Sequence, residues 1–223
     1  MTDRDLFLHE LIDIVGQHQW DYMEHAKAQA GHEKVGFELL GTWYTMGITG
    51  RWPQVVNVWE IPGGWDGWYA KVDRLLGAAP GCQTLASLER DGVTGSLFIH
   101  ELTEVRPGAA LDYLEAVRTT RAPLLAEYGH TLVGLWEVLL NDYEVCTVWA
   151  TEPRHHVRVA KARDVARGVA SAADAGVAGD ERLEAWHRLS RQWATRWREE
   201  LMTPAAGTLC GPTEAPLDDS VEA

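Results

Sequence analysis

A repeated hexapeptide is the feature that most constrains the fold of this chain. Residues 6–11 read Leu-Phe-Leu-His-Glu-Leu and residues 97–102 read Leu-Phe-Ile-His-Glu-Leu, so the two copies lie 91 positions apart. Further matches follow in the same order: Asp21-Tyr22 with Asp112-Tyr113, Gly41-Thr42-Trp43 with Gly134-Leu135-Trp136, Val58-Trp59 with Val148-Trp149, and Ala70-Lys71 with Ala160-Lys161. Two copies at this spacing indicate a duplicated supersecondary unit and not a solenoid of many short repeats.

Each copy predicts the order strand, helix, strand, strand, helix. Apolar runs of strand length flank an amphipathic segment, which in the first copy covers about 17–31, with Trp20 and Met23 on one face. A short helix over 65–76 is predicted to close that copy. After the second copy, a helix is predicted to begin at Pro153. A last helix is predicted over 181–201, because its leucines and tryptophans recur at helical spacing.

The repeat also predicts the domain organisation. We expect a first repeat over 1–78, a connector over 79–92, a second repeat over 93–203 and a flexible tail over 204–223. Proline, glycine and acidic residues dominate the tail.

Composition narrows the possible partners. The net charge is −13 and no basic stripe is visible, which argues against a nucleic-acid partner. No apolar run approaches the ~20 residues of a membrane span, and the N-terminus does not resemble a signal peptide. The three cysteines, Cys82, Cys146 and Cys210, are far apart, which predicts a reducing, cytoplasmic location.

The chain contains 11 tryptophans, an unusual number for 223 residues. Such a set indicates a large apolar cavity or a broad subunit interface, and we expect a homodimer. A β-α-β-β unit covers one face of its sheet with helices and leaves the other bare. Two bare faces packed together would enclose a barrel. We therefore predict an α+β fold of tandem duplicated ferredoxin-like units, forming a dimeric α/β-barrel-type architecture with a C-terminal Trp-rich helix.

The second copy resembles the NIPSNAP family. The residues that carry the resemblance are Glu101-Leu102, Arg106-Pro107-Gly108, Gly134-Leu135-Trp136 and Val148-Trp149-Ala150, within about 97–204. The resemblance implies the dimeric α+β barrel (ferredoxin-like) superfamily. That superfamily includes cofactor-free monooxygenases, small-molecule isomerases and lyases, and haem proteins, so the resemblance alone does not select a reaction.

Strand alternation predicts which side chains face the cavity. We expect one polar group beside one indole in each copy, on the sheet face away from the helices. The predicted substrate-binding residues are Asn57, Trp59, Thr147 and Trp149, together with Trp43 and Trp136. Val56 and Val58 in the first copy, and Cys146, Val148 and Ala150 in the second, would then lie beneath the helices. The alternative is that the tryptophans only fill the barrel.

The predicted catalytic residues are His9 and His100, because imidazole exchanges protons near neutral pH. Each is followed by a glutamate, Glu10 or Glu101, which must point to the opposite face of its strand. The histidines are favoured for the cavity face and the glutamates are the next candidates. The alternative is that the two histidines are structural residues retained in both copies. His155-His156 and His187 are expected to be surface groups.

No cofactor is predicted. The sequence lacks the HExxH, CxxC, GxGxxG, P-loop and Gly-x-Ser-x-Gly patterns, which argues against a metal, a nucleotide and a serine nucleophile. Haem stays possible because it needs a single axial histidine. The first hypothesis is an enzyme that transfers a proton on a small, largely apolar organic ligand, as an isomerase, lyase or cofactor-free monooxygenase. The alternatives are a non-catalytic binding or assembly protein, and a haem-dependent enzyme.

Overall fold

A computed structural model describes residues 6–30, 37–47, 52–64, 67, 93–138 and 143–208. These residues form two compact units. The second unit is Leu97–Glu199, and the first contains the described residues before Leu97 and from Glu200 onward. None of the helices in these ranges combines the length and the apolar character that a membrane span requires.

The first unit is built from three antiparallel strands and one helix. They are β1 (Leu6–Asp13), α1 (Gln19–Ala30), β2 (Glu38–Thr45) and β3 (Gln54–Ile61). β3 is the central strand of the order β1-β3-β2, and its valines are β-branched residues that pack well on a pleated surface. The last residues of the C-terminal strand β7 (Ala194–Pro204) pair with β2, with Tyr44 opposite Thr203.

The second unit has the complete ferredoxin-like order β-α-β-β-α-β. Its strands are β4 (Leu97–Val105), β5 (Thr131–Glu137), β6 (Glu144–Thr151) and the first part of β7, in the order β7-β4-β6-β5. Between β4 and β5 lie α2 (Ala110–Ala116), a π-helical turn (Val117–Arg121) and α3 (Ala122–Ala126). Between β6 and β7 lie α4 (Pro153–Ala166), α5 (Ala172–Ala175) and α6 (Glu181–Ser190). The α+β class predicted from the sequence is confirmed.

Both units use the same strand register and the same irregularity. His9 pairs with Val58 in one unit, and His100 pairs with Val148 in the other. β2 is irregular between Leu39 and Gly41, and β5 between Leu132 and Gly134. At each of these glycines an added Cβ would collide with the indole two residues later, Trp43 or Trp136. In each Gly-x-Trp sequence the missing side chain of the glycine therefore leaves the space that the indole two residues later occupies. We call this arrangement the Gly-x-Trp notch.

The predicted C-terminal helix over 181–201 is wrong in its second half. α6 begins after Asp180, whose side chain accepts a hydrogen bond from the backbone of Arg182, and it ends at Ser190. Residues Ala194–Pro204 then form β7. The helical spacing of the tryptophans was a weaker determinant than strand pairing, which satisfies the backbone groups of this segment. Trp186 is buried as expected, but Trp197 is 53% exposed.

The other predicted helices can be compared directly. α4 begins at Pro153, as predicted, and α1 is close to its predicted range. Met23 is buried, whereas Trp20 is 49% exposed and packs edge-on against Tyr44. The predicted helix over 65–76, apart from Gly67, and the connector over 79–92 lie outside the described residues. In the predicted tail, Pro204 ends β7, Ala205 is buried, and residues 209–223 lie outside the described ranges.

Candidate functional site

Glu101 on β4 is the centre of a buried polar group in the second unit. Its Oε2 accepts a hydrogen bond from Thr147 Oγ1 at 2.7 Å and one from Trp149 Nε1 at 3.0 Å. These three side chains share one face of the sheet. Arg121, from the π-helical turn, reaches Glu101 on that same face. The face that carries Thr147 and Trp149 is therefore the helix-covered face, and the prediction that they lie on the bare face is wrong.

The ion pair between Arg121 and Glu101 has two-point geometry. Arg121 Nη1 donates to Glu101 Oε2 at 2.7 Å, and Nη2 donates to Oε1 at 2.6 Å. Burial alone would raise the pKa of Glu101, but the charge and hydrogen bonds of Arg121, with those of Thr147 and Trp149, hold that pKa below its usual value. The same pairing raises the pKa of Arg121 against the opposing effect of burial. Both groups therefore stay ionised.

The π-helical turn positions Arg121. Such a turn adds one residue to a helical circuit and often occurs at functional sites. The guanidinium carbon of Arg121 lies 5.1 Å from the ring centre of Trp149 and 5.8 Å from that of Trp186. Contacts at this range are favourable cation–π interactions. The arginine is thus held by one carboxylate and two indoles, which fixes it at the wall of a cavity.

This cavity has a volume of about 140 Å³ and lies wholly within the second unit. Its walls come from β4, the π-helical turn, α3, β6, α4, α6 and β7. The apolar lining residues are Ile99, Leu124, Leu125, Trp149, Val159, Ala160, Leu183 and Trp186, and the ionisable ones are Glu101, Arg121, His130, His156, Arg163, His187 and Glu199. An engineered cavity of about 150 Å³ in another protein binds benzene, so this volume suits a ligand the size of a single ring.

Glu199 lies at the mouth of the cavity, with 39% of its side chain exposed. Its partial burial and the negative charge of Glu101 raise the pKa of Glu199 to about 6, although Arg121 and Arg163 act in the opposite direction. Its Oε1 is 3.5 Å from Nε2 of His156. Burial lowers the pKa of His156, which favours the neutral ring. A carboxyl group that titrates near neutrality and an imidazole are therefore adjacent.

Two further imidazoles line the cavity in the neutral form. Burial, with the positive charges nearby, lowers the pKa of His130 to about 4. Its Nδ1 has no hydrogen-bond partner among the described residues. Burial and the charge of Arg163 also lower the pKa of His187, whose Nε2 accepts a hydrogen bond from Arg163 Nη1 at 3.1 Å. The imidazoles therefore add little positive charge at neutral pH.

The first unit contains a simpler version of the same polar group. Trp59 Nε1 donates to Glu10 Oε2 at 2.8 Å, and Asn57 Nδ2 donates to the same oxygen at 3.1 Å. Asn57 Nδ2 also lies 3.4 Å from Tyr22 Oη on α1, so this face is again the one beneath a helix. Ala30 stands 91 positions before Arg121, where the second unit has its cation. Within its described residues, the first unit therefore has the carboxylate and the indole but no arginine.

The predicted site residues are divided between two faces of each sheet. His100 pairs with Val148, and Trp136 pairs with Cys146, so both lie on the face opposite Glu101 and neither lines the cavity. In the first unit His9 and Trp43 share the face of Val58 and Val56 in the same way. The expectation that the histidines and Trp149 would meet in one cavity is wrong. His100 shares the face of Val148, and Val148 and Trp149 are neighbours on β6 that point to opposite faces of the sheet. The catalytic roles of His9 and His100 stay predictions.

Sequence reasoning missed the ionisable residues that the helices and β7 bring to the cavity. His156 and His187 were expected on the surface, yet both line it. Glu199 and Arg163 carried no motif at all. One available signal was the spacing of His156 and Arg163 on α4, seven residues apart, which places two polar groups on one helix face.

The ligands and the volume of the cavity can be compared with what a haem group requires. Its imidazoles are possible iron ligands. Its volume of about 140 Å³, however, is that of a single-ring ligand, and a haem macrocycle is several times larger. The second unit as described does not fit a haem in this cavity.

The fold recurs in solved structures at very low sequence identity. An anthrone oxidase-like protein matches with a TM-score of 0.59 at 9% identity, over 92% of this chain and 92% of its own. A "putative monooxygenase" from Lactobacillus acidophilus NCFM matches with a TM-score of 0.55 at 10% identity, over 90% of this chain and 94% of its own. A second "putative monooxygenase", from Fusobacterium nucleatum subsp. nucleatum ATCC 25586, matches with a TM-score of 0.54 at 10% identity, over 92% of this chain and 94% of its own. At these identities the likeness establishes the fold alone.

No family model matches the chain, and no curated protein matches it.

Proposed function

We propose that the second unit is an enzyme that transfers a proton on a small, largely apolar organic substrate held in its cavity, without a redox cofactor. The observation that carries this proposal is the position of Glu199. Its carboxyl group, with a pKa raised to about 6, lies at the mouth of a cavity of single-ring size. A group whose pKa is close to the working pH can take up and return a proton efficiently.

In this mechanism the Glu199 carboxylate accepts a proton from a carbon or oxygen atom of the substrate. The neutral imidazole of His156, 3.5 Å away, accepts a hydrogen bond or relays the proton. Leu124, Leu125 and Leu183 exclude water from the bound substrate. A site poor in water strengthens the interaction of the new negative charge with the guanidinium group of Arg163 in the wall.

Proton removal is a shared first step of several reactions. An isomerase returns the proton at another atom, and a lyase expels a leaving group from the anion. A cofactor-free monooxygenase lets the anion react with dioxygen, which is then the oxidant. The names of the structural neighbours, an anthrone oxidase-like protein and a "putative monooxygenase", favour the last of these three.

The experiment begins with the substrate. Native mass spectrometry of the purified protein identifies any co-purifying ligand, and its conversion is then followed with wild-type protein, Glu199→Gln and a control. Glu104→Gln is the matched control, because Glu104 is an exposed strand carboxylate of the same unit and does not line the cavity. We expect turnover to fall by roughly 10²–10⁴-fold in Glu199→Gln only.

A bound ligand that is never converted would contradict the proposal. It would favour the alternative function, a non-catalytic small-molecule-binding protein. The roles first predicted for His9 and His100 are tested in the same assay with His9→Ala and His100→Ala. Turnover lost in either of these variants, but not in Glu199→Gln, would move the acid–base role to the opposite face of the sheet.

We also propose that the two units arose by tandem duplication, with repeats over about 1–78 and 93–203. The shared register and the shared Gly-x-Trp notch support this.

The kinship with the NIPSNAP family rests on the short motifs of the second copy. The homodimer with a barrel-type architecture rests on the 11 tryptophans, and the cytoplasmic location on the scattered cysteines. Light scattering over a range of concentrations tests the homodimer, and a monomer throughout would contradict it.

A further inference from the structure

The guanidinium group of Arg163 is only partly used by the protein. Its Nη1 donates to His187 Nε2 at 3.1 Å, whereas its buried Nε has no hydrogen-bond partner among the described residues. A buried N–H group without an acceptor is unfavourable, and more so when the group is charged. Arg163 also lines the cavity, so an oxygen atom of a bound ligand can accept a hydrogen bond from the remaining donors of its guanidinium group.

Arg163 differs in this respect from Arg121, the other cation of the cavity wall. Arg121 gives both Nη atoms to Glu101, so that pair is close to neutral as seen from the cavity. No ion pair joins Arg163 to a carboxylate in the described part of the second unit. Because His130, His156 and His187 are held neutral, Arg163 is the cation of the cavity wall that no described carboxylate contacts directly, and the charge of Glu199 acts on it from a distance.

The remaining walls determine the rest of the ligand. Leu124, Val159, Ala160 and Leu183 present apolar atoms, and the volume of about 140 Å³ is close to that of a benzene-sized cavity. An arginine is the cation best suited to a planar carboxylate, because its donors match the two carboxylate oxygens.

We infer that this cavity binds a ring-sized organic monoanion of the carboxylate type, with its charge on Arg163 and its ring against the apolar wall. The inference rests on the proposed function and deepens it, since it names the class of molecule the site takes. It separates the anion-binding role of Arg163 from the proton-transfer role of Glu199.

Isothermal titration calorimetry with benzoate and its neutral analogue benzamide tests the inference on the full chain. Wild-type protein should bind benzoate at least about tenfold more tightly than benzamide. Arg163→Gln should weaken benzoate binding by roughly 10- to 100-fold, the usual effect of losing a hydrogen bond to a charged group, and should leave benzamide binding nearly unchanged. Arg154→Gln is the matched control, since Arg154 is an exposed residue of the same helix, paired with Glu152.

Equal binding of benzoate and benzamide by wild-type protein would overturn the inference, and so would no binding of either. This comparison needs no variant, so it holds even if Arg163→Gln does not fold. Benzoate binding that is equally strong in Arg163→Gln and Arg154→Gln would also overturn it. If benzoate binds through Arg163 while Glu199→Gln keeps full turnover, the anion site stands and the proton-transfer proposal fails.

Discussion

Arg121 and Glu101 meet in a two-point ion pair inside the second unit, with Nη1–Oε2 and Nη2–Oε1 separations of 2.7 and 2.6 Å. The carboxylate is contributed by a strand and the guanidinium by a π-helical turn. The pair therefore ties the helical layer to the sheet beside the cavity. The first unit has Glu10 at the matching position of the repeat but Ala30 in place of the arginine.

Removing one partner of this buried ion pair should strongly destabilise the protein. Glu101→Gln leaves the Arg121 charge without its partner in a buried place, and we expect a loss of about 3–5 kcal/mol in the free energy of unfolding. The double variant Glu101→Gln/Arg121→Met should be less destabilised than the sum of the single changes. Urea denaturation measures all three. Glu115→Gln, which breaks an exposed pair with Arg118, is the control and should change stability little.

The Gly-x-Trp notch should tolerate no side chain at the glycine. Gly134→Ala places a methyl group in the indole of Trp136, so the strand or the ring must shift. We expect a loss of roughly 1–3 kcal/mol by thermal or chemical denaturation, as for other overpacked cores. Gly47→Ala is the control, because its added Cβ would meet Trp52 Cγ at an ordinary 3.6 Å. Equal stability of the two variants would mean that the notch is not needed.

The repeat in the sequence predicted the strand-helix-strand-strand order of each unit because matching dipeptides occupy matching elements. The helical spacing of apolar residues gave a wrong prediction for residues 194–204, where Trp197 and Leu201 lie on a strand. Helical spacing is a local property, whereas the pairing of β7 with strands far away in the sequence is not visible from any short window.

The sequence predicted the residue types of the site better than the faces of the sheet on which they lie. Thr147 and Trp149 were correctly expected to share a face, because strand alternation is a local rule. Which face the helices cover depends on how the chain crosses the sheet, and the periodicity of β6 does not contain that information. For this reason Glu101, and not His100, points into the cavity of the second unit. Glu199 was not predicted because its segment was expected to be helical, whereas it lies on the strand β7.

His130 should make the folded state sensitive to acid. Its pKa is about 4 in the folded chain, against a usual value of 6.5. Between these values the unfolded state binds more protons than the folded one, so this group lowers stability as the pH falls from about 6.5 to about 4 and has no effect above that range. Thermal denaturation across this range should show a weaker acid dependence in His130→Asn. The exposed His25→Asn serves as control, and parallel curves for all three proteins would contradict the assignment.

Filling the cavity should remove ligand binding without unfolding the protein. Ala160 lines the cavity from α4, and Ala160→Leu places three more carbon atoms in it. We expect benzoate affinity to fall by at least about tenfold while the melting temperature stays near that of the wild type. Val157→Leu, an exposed change on the same helix, should bind benzoate normally. Unchanged affinity in Ala160→Leu would show that the ligand binds elsewhere.

The most direct test of the proposed function is the pH dependence of kcat/KM for the identified substrate, in wild-type protein and Glu199→Gln. The groups that surround Glu199 are Glu101 on β4, Arg121 on the π-helical turn, and His156 and Arg163 on α4. Because the base must be ionised, the wild-type rate should rise as the pH increases through about 6 and then level off. Glu199→Gln should be roughly 10²–10⁴-fold slower and should lack that inflection. A wild-type profile that is flat through pH 6, or a Glu199→Gln variant with wild-type rates, would contradict the account.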